Sequence, residues 1–204
     1  MTIRAVLFDF AGVLTSSPWA ALAAAGGGDL ELVIGSYEHD TDHPWHQVER
    51  GEMKIVDWMT AVKELGEAKG VEVDFSPLAA LLGEMTVHDP IVEHVRALRD
   101  QGYKLALVTN NVREGSAAWR SMVPVDELFD VVIDSSEVGM RKPNPAIFEH
   151  TLEALGGIPP EEAVFLDDTP GNVEGAKRAG LHAILVETPE QAIEDLSRVL
   201  SQRL

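Results

Sequence analysis

The sequence predicts an α/β fold built on a doubly wound parallel sheet, and two patterns indicate it. Five short runs are apolar almost throughout rather than at alternate positions, which is typical of strands covered on both faces. Helical patterns lie between these runs, and such alternation favours parallel strands joined by crossover helices. The runs cover residues 3–9, 104–109, 131–134, 163–167 and 182–186.

Two of the intervening segments carry signals of helix ends. In residues 90–101, Ile91, Val95 and Leu98 fall on one face, and Gly102 can end the helix in the left-handed conformation. Asn144 can cap the helix after the third run with its side-chain oxygen, and Pro145 suits the first helical position because it has no N–H that would need a partner. We therefore predict that helices connect the strands.

The strand pattern lapses between about residues 15 and 88, where no buried-strand run occurs. The segment contains helix-like pieces at 18–25, 29–37, 55–69 and 77–85. We predict a small helical domain, residues 15–88, inserted after the first strand into a core formed by residues 1–14 and 89–204. An insertion there lies above the carboxyl ends of the strands, where open α/β sheets bind ligands, so it can act as a lid.

The composition excludes several kinds of site. The chain of 204 residues has 16 basic and 34 acidic side chains and a net charge of −18, which disfavours nucleic acid and anionic membranes as partners. The absence of cysteine excludes disulfides, thiol nucleophiles and Cys-based metal sites. No signal-peptide pattern or membrane-length apolar stretch is present, so we expect a cytoplasmic protein. The sequence leaves the oligomeric state open.

Polar side chains follow the predicted strands at the same end of the sheet. They are Asp9, Thr109, Asn110, Lys142, Asp167 and Asp168. The carboxyl ends of parallel strands share one edge, so these groups should meet despite their distance in sequence. Clustered carboxylates repel one another, so we expect a divalent cation to neutralise them. A set of oxygen ligands suits Mg²⁺. A lysine and a hydroxyl beside such a metal predict a site for a dianionic group, above all phosphate.

Four motifs in the chain resemble those of the haloacid dehalogenase (HAD) superfamily, in the same order. They are FDFAGVL (8–14), LVTNN (107–111), RKPNPAIF (141–148) and FLDDTPGNVEGAKRAG (165–180). The resemblance implies a Rossmann-like core, and the insertion resembles the C1 cap of that superfamily. The segment HPWHQVERGEM (43–53) is similar to one branch, which contains the N-terminal phosphatase domain of soluble epoxide hydrolase and the HAD domains fused to acyl-CoA dehydrogenases.

The resemblance implies a Mg²⁺-dependent hydrolase that acts on a small phosphorylated metabolite through an aspartyl-phosphate. Asp9 matches the nucleophile, and Lys142 matches the lysine that neutralises it and the transferring group. Thr109 and the backbone amide of Asn110 match the motif that holds the phosphate. The implied metal ligands and their supporting residues are Asp9, the backbone carbonyl of Ala11, Asp168, Asp167 and Asn172.

Position 11 departs from the family pattern, because phosphatases of this superfamily usually carry an acid/base aspartate where this chain has Ala11. A positioned acid/base contributes about 10²- to 10⁴-fold to the rate. One hypothesis is a hydrolase that uses a good leaving group or takes its acid/base from the cap. The candidates for that role lie in one cap loop: Glu38, His39, Asp40, Asp42, His43 and His46.

Two further hypotheses remain open. Phosphonatase, a HAD enzyme, has alanine at the same position and uses a cap lysine as a Schiff base, for which Lys54 is the first candidate, ahead of Lys63 and Lys69. Alternatively, the domain binds a phosphorylated ligand or partner without turnover. A dehalogenase is disfavoured, because those members work without a metal and lack the acid pair seen at Asp167 and Asp168.

Overall fold

The core of the protein is a parallel sheet of five strands in the order β3-β2-β1-β4-β5. The computed structural model describes residues 2–19, 30–36, 38–75 and 84–201. Each of the five apolar runs forms a strand, so the predicted parallel α/β fold is confirmed. The strands are β1 (Ala5–Phe8), β2 (Lys104–Thr109), β3 (Val131–Asp134), β4 (Ala163–Asp167) and β5 (His182–Leu185).

Helices connect the strands and form the segment between β1 and β2. In the described part of the chain they are α1 (Leu30–Ile34), α2 (Pro44–Glu49), α3 (Ile55–Lys69), α4 (Asp89–Asp100), α5 (Ser116–Arg120), α6 (Val125–Leu128), α7 (Ser135–Val138), α8 (Pro145–Ala154), α9 (Pro170–Arg178) and α10 (Pro189–Ser201). Short 3₁₀ turns occur at Arg113–Gly115 and Pro160–Glu162. None of these helices is both long and apolar enough to cross a membrane.

Both faces of the sheet are covered, which explains why its strands are apolar throughout. Val6 and Phe8 of β1 pack into a cluster with apolar side chains of α4 and α10. Ala5 and Leu7 point to the other face and pack with side chains of α8 and α9. Successive residues of a strand face opposite sides, so a strand between two helical layers has no position for a solvated side chain.

The helix ends predicted from the sequence are present. Helix α8 begins at Pro145, and the side chain of Asn144 accepts a hydrogen bond from the backbone N–H of Ala146 at 3.1 Å. Helix α4 occupies nearly the predicted residues, and Gly102 follows it with a φ of +88°. These local signals fix where the chain leaves each helix for the next strand.

Between β1 and α4, the described residues form helices and no strand, apart from isolated bridge pairs at Thr15. The helical piece predicted at 55–69 is confirmed as α3, and the piece at 29–37 contains the shorter α1. The pieces predicted at 18–25 and 77–85 lie mostly outside the described residues. The inserted helices have an apolar cluster of their own, formed by Ile34, Trp45, Val48, Trp58 and Val62.

The inserted segment contacts the core at the 3₁₀ turn that follows β2 and at helix α7, which follows β3. The backbone N–H of Ile55 donates to Glu114 Oε1 at 3.2 Å. Gly51 lies so close to the core that an added Cβ would come within 2.3 Å of the Ser136 carbonyl oxygen. The inserted segment therefore packs beside the carboxyl ends of the central strands.

Candidate active site

Three carboxylates meet where the two central strands β1 and β4 end. Phe8 of β1 pairs with Leu166 of β4, so the next residues, Asp9 and Asp167, lie side by side. Asp168 follows directly, and one oxygen from each carboxylate lies within 4.8 Å of the others. Parallel pairing thus brings together groups that are about 160 residues apart along the chain.

Lys142 links two of these carboxylates from a fully buried position. Its Nζ lies 2.7 Å from Asp9 Oδ1 and 2.7 Å from Asp167 Oδ2. Burial alone would lower the pKa of Lys142, but the charges of Asp167 and Asp9 outweigh it and raise the pKa above its usual value. The side chain is therefore a permanent ammonium that offsets part of the negative charge of the cluster.

Asp167 is held by donors from the protein itself. Besides Lys142, the backbone N–H of Thr169 donates to Oδ1 at 2.8 Å, and Asn172 Nδ2 lies 3.1 Å from both oxygens. Hydrogen bonds from several donors hold a carboxylate in one orientation. Asp167 and Asn172 therefore form a fixed support beneath the two other acids.

Asp9 and Asp168 are less completely paired. Asp9 Oδ1 accepts from Lys142 and from the Phe10 backbone N–H at 2.7 Å, whereas none of the described residues donates to Oδ2. Burial raises the pKa of Asp9 well above its usual value, and Asp167 and Asp168 raise it further against the opposing charge of Lys142. Burial, together with Asp167, also raises the pKa of Asp168 to about 6.

The cluster has the composition that a divalent cation requires. One ammonium faces three carboxylates, and the pKa values of Asp9 and Asp168 are raised first by burial and then by the neighbouring negative charges. All the candidate donors are oxygens, which suits Mg²⁺. The residues present therefore fit the predicted metal.

Gly12 brings the chain after β1 into close contact with Asp168. Its φ is +91°, and a Cβ added there would lie 2.1 Å from the Asp168 carboxyl carbon. Only glycine adopts this backbone conformation readily while leaving room for the carboxylate. Asp168 is thus seated against the turn that contains Ala11 and Gly12.

Thr109 and Asn110 occupy different environments. Thr109 is almost fully buried at the end of β2 and is not among the described residues that line the cavity beside Asp9. Asn110 lines that cavity, but its side chain is paired with the backbone of Lys142. Its Nδ2 donates to the Lys142 carbonyl at 2.9 Å, and its Oδ1 accepts from the Lys142 N–H at 2.8 Å. The side chain of Asn110 thus fixes the loop that carries Lys142.

A cavity of about 320 Å³ opens beside the carboxylates, at the low end of the volumes that bind small molecules. Asp9, Ala11 and Asp168 line one part of it. The inserted segment contributes apolar side chains, namely Trp19, Leu30, Ile34 and Trp45. A small molecule in this cavity would contact both the carboxylate cluster and the inserted segment.

Sequence reasoning missed a buried ion pair that joins the inserted segment to the core and lines the same cavity. Arg141 Nε donates to Glu49 Oε2 at 2.7 Å, and both side chains are buried. Burial raises the pKa of Glu49, although Arg141 opposes the shift. Arg141 stands in the motif that contains Lys142, but no local pattern indicates that position 141 pairs with position 49.

Two histidines of the inserted segment, His43 and His46, form hydrogen bonds within that segment and do not line the described part of the cavity. His46 is fully buried, its Nδ1 lies 3.0 Å from the Thr41 backbone nitrogen, and burial lowers its pKa to about 3. His43 caps α2, since its Nδ1 accepts from the Trp45 N–H at 3.2 Å. Neither histidine is among the described residues that line the cavity beside Asp9.

The lysines of the inserted segment are likewise not part of the described cavity lining. Lys54, Lys63 and Lys69 are exposed, and none of them is among the described residues that line this cavity. The geometry therefore offers no support for a Schiff-base lysine in the inserted segment. Lys142, from the core, is the lysine in contact with Asp9.

Comparison with known proteins identifies the family of the chain. Residues 3–180 match the model of the haloacid dehalogenase-like hydrolases. The chain belongs to this family. The resemblance inferred from its four motifs is confirmed, and the protein is accordingly a hydrolase of the HAD type.

Relatives include both fused proteins and a phosphatase of similar size. The hydrolase is 32% identical to acyl-CoA dehydrogenase family member 10 of Mus musculus, over 97% of its own length and 19% of that protein. It is 28% identical to bifunctional epoxide hydrolase 2 of Mus musculus, over 98% of its length and 39% of that protein. Phosphatase MT3486 of Mycobacterium tuberculosis is 30% identical, over 98% of the hydrolase and 95% of the phosphatase.

Solved structures share the fold along nearly the whole chain. A predicted HAD-like family hydrolase from Porphyromonas gingivalis superposes with a TM-score of 0.69, at 26% identity and with all of both chains covered. A HAD family enzyme from Bacteroides thetaiotaomicron, solved with magnesium and inorganic phosphate, has a TM-score of 0.64 at 22% identity. The alignment covers 91% of the hydrolase and 94% of that enzyme.

Proposed function

We propose that this hydrolase cleaves small phosphomonoesters in a Mg²⁺-dependent reaction, through an aspartyl-phosphate on Asp9. The observation that carries the proposal is the pairing of Asp9 with buried Lys142, next to Asp168 and open to a cavity. The name of its relative phosphatase MT3486 supports the same reaction class. The complex of the Bacteroides enzyme with magnesium and phosphate supports the same ligands.

Asp9 would act through Oδ2, because Lys142 and the Phe10 N–H already hold Oδ1. In the first step, Oδ2 attacks phosphorus, and the bond from phosphorus to the ester oxygen breaks. The leaving oxygen departs with the bonding electrons and takes its proton from solvent. The ammonium of Lys142 offsets the negative charge that collects around phosphorus.

In the second step, a water molecule attacks the aspartyl-phosphate. The bond between phosphorus and Asp9 breaks, the proton of the water passes to solvent, and inorganic phosphate leaves the regenerated carboxylate. Because Ala11 has no ionisable side chain, both proton transfers lack a partner at that position. The reaction should therefore be slow and should favour good leaving groups.

The metal would be held by Asp9, Asp168 and the backbone carbonyl of Ala11. When bound, Mg²⁺ supplies positive charge that stabilises the phosphoryl group during transfer. Asp167 and Asn172 would support these ligands, because Asp167 already accepts bonds from Lys142, Thr169 and Asn172. Thr109 and the backbone amide of Asn110 would hold the phosphoryl oxygens.

We propose further that residues 15–88 form a C1 cap on a core of residues 1–14 and 89–204. The Arg141–Glu49 pair and the apolar cavity wall of the inserted segment support this division. A closed cap would shield the reacting phosphoryl group from most bulk water and would select the leaving group.

The substitution at position 11 favours one alternative, a domain that binds a phosphorylated ligand without turnover. The two functions differ in a direct assay. We expect wild type to release phosphate from an activated aryl phosphate only with Mg²⁺, and Asp9→Asn to release none. Asp57→Asn, an exposed acid on α3, is the matched control and should keep full activity.

Equal activity of Asp9→Asn and wild type would contradict the proposed nucleophile. If wild type releases no phosphate, while Mg²⁺ and phosphate together raise its melting temperature, the binding function is supported instead.

A further inference from the structure

The cavity contains two charged side chains outside the carboxylate cluster. Among the described lining residues these are Glu49 and Arg141, which bind each other at 2.7 Å. Most of the wall around them is apolar, with two indole rings and two aliphatic side chains from the inserted segment. The ion pair is therefore the main polar feature that a leaving group could meet on that wall.

The positive charge of Arg141 is already compensated. Glu49 occupies its Nε, the Asp40 carboxylate lies 3.7 Å from Nη1, and the carbonyl oxygen of His39 accepts from Nη1 at 3.4 Å. Lys142 is likewise committed to Asp9 and Asp167. The described part of the cavity thus offers no unpaired cation to an anionic leaving group.

Stability alone is a weak reason for a buried ion pair. Two buried charges pay a large desolvation cost, and apolar side chains of similar volume often stabilise a protein equally well. The pair instead gives the wall a property that an apolar contact would lack. A second anion on the substrate would lose its water, find no free cation and lie beside the Glu49 carboxylate.

We propose that the Arg141–Glu49 pair determines substrate specificity and restricts the hydrolase to phosphomonoesters whose leaving group is uncharged. Because Glu49 is bound to Arg141, the guanidinium does not attract a second anionic group of the substrate into the cavity. Because Arg141 is bound to Glu49, the carboxylate does not attract a cationic group. An apolar or aromatic leaving group packs instead against the wall that contains Trp45. This inference rests on the proposed function, whose substrate class it narrows.

The test compares three phenyl phosphates that differ in charge at the para position. The substituents are isobutyl, carboxymethyl and aminomethyl, all attached through a methylene group so that the phenols have similar acidity. We measure kcat/KM for each ester, and in parallel Kd for the phosphonate analogue of each in the presence of Mg²⁺. Wild type should prefer the isobutyl compound over both charged ones by about tenfold or more, the scale of one unpaired charge.

Two variants should shift this preference in opposite directions. Glu49→Gln frees the charge of Arg141 and should raise the carboxymethyl-to-isobutyl ratio about tenfold. Arg141→Gln frees Glu49 and should raise the aminomethyl-to-isobutyl ratio by a similar factor. Glu194→Gln, which breaks an exposed pair with Arg198 on α10, is the matched control and should change neither ratio.

Wild type alone can overturn the inference, so the result does not depend on the variants folding. Equal kcat/KM or equal Kd for the isobutyl and carboxymethyl compounds would refute it. Ratios that stay constant in well-folded Glu49→Gln and Arg141→Gln would refute the role of the pair. If no ester is hydrolysed, the proposed catalysis fails, and the phosphonate Kd values still decide whether the pair selects by charge.

Discussion

The ammonium nitrogen of Lys142 lies 2.7 Å from Asp9 Oδ1, whereas Asp9 Oδ2 has no donor among the described residues. The same nitrogen is 2.7 Å from Asp167 Oδ2, so one cation holds two strand ends together. The side chain of Asn110 in turn binds both the backbone N–H and the backbone carbonyl of Lys142. One residue from each of the four sequence motifs, namely Asp9, Asn110, Lys142 and Asp167, therefore belongs to one connected group of hydrogen bonds and ion pairs.

Replacement of Lys142 tests how much its contacts with Asp9 and Asp167 stabilise the protein. Lys142→Met leaves Asp9 and Asp167 buried without their cation, so we expect a loss of about 3–5 kcal/mol in the free energy of unfolding. Mg²⁺ should restore part of the loss, because it supplies positive charge at the same carboxylates. Urea unfolding with and without Mg²⁺ measures both effects. Lys177→Met, which breaks an exposed pair with Glu174, is the control, and an equal loss in both variants would contradict the role of Lys142.

Replacement of Gly12 tests the close contact between the first motif and the Asp168 side chain. In Gly12→Ala the new Cβ must displace the Asp168 carboxylate, since the unaltered distance would be 2.1 Å. Gly139→Ala is the matched control: its φ is +71°, and nothing lies within 4 Å of its Cβ position. The control should lose about 1 kcal/mol of stability from backbone strain alone. Gly12→Ala should lose more and should also bind Mg²⁺ at least about tenfold more weakly.

Isothermal titration of Mg²⁺ into both glycine variants separates strain from displacement of the carboxylate. Unchanged Mg²⁺ affinity in Gly12→Ala would show that Asp168 is not a ligand. A similar loss of affinity in Gly139→Ala would assign the effect to global destabilisation instead.

His46 should make the protein sensitive to acid. Its pKa falls from 6.5 in the unfolded chain to about 3 in the folded one, so its stabilising contribution is complete above pH 6.5 and declines as the pH falls. At a pH of about 5 the loss should be about 2 kcal/mol. Unfolding curves of His46→Gln should lack this part of the acid dependence. The exposed His150→Gln serves as control and should keep it.

In the metal-free protein, Asp168 should make the folding stability depend on pH in the opposite direction to His46. Its pKa rises from 3.8 to about 6 on folding, so the stability that it contributes is complete below 3.8 and is lost as the pH rises through 6. The difference in stability between wild type and Asp168→Asn should change by up to about 3 kcal/mol across this range. Mg²⁺ should raise the melting temperature much more above pH 6 than below pH 4. An increase independent of pH would contradict metal binding at Asp168.

The sequence predicts much of this protein because its strongest signals are local. Continuous apolar runs identify the strands, and parallel pairing then brings Asp9 and Asp167 to one edge of the sheet. Asn144 and Pro145 begin α8 where expected, since a capping hydrogen bond depends on the nearest residues. These features need no knowledge of the rest of the fold.

The Arg141–Glu49 pair could not be predicted in the same way. Glu49 lies on a short helix of the inserted segment, 92 residues from its partner, and an acid there is usually solvated. Only the packing of the inserted segment against the core buries both charges together. The histidines illustrate the reverse case. His43 and His46 are candidate acid/base groups by residue type, but the Nδ1 atom of each is hydrogen-bonded within the inserted segment.

Phosphorylation of Asp9 is the central claim, and intact-protein mass spectrometry after incubation with Mg²⁺ and acetyl phosphate tests it most directly. We predict that wild type gains one phosphoryl group at Asp9 and releases phosphate slowly, because Ala11 cannot activate water. Ala11→Asp should accumulate no adduct and release phosphate faster by up to about 10²- to 10⁴-fold, whereas Ala11→Asn should resemble wild type. Absence of both adduct and phosphate release in wild type and Ala11→Asp would contradict the account.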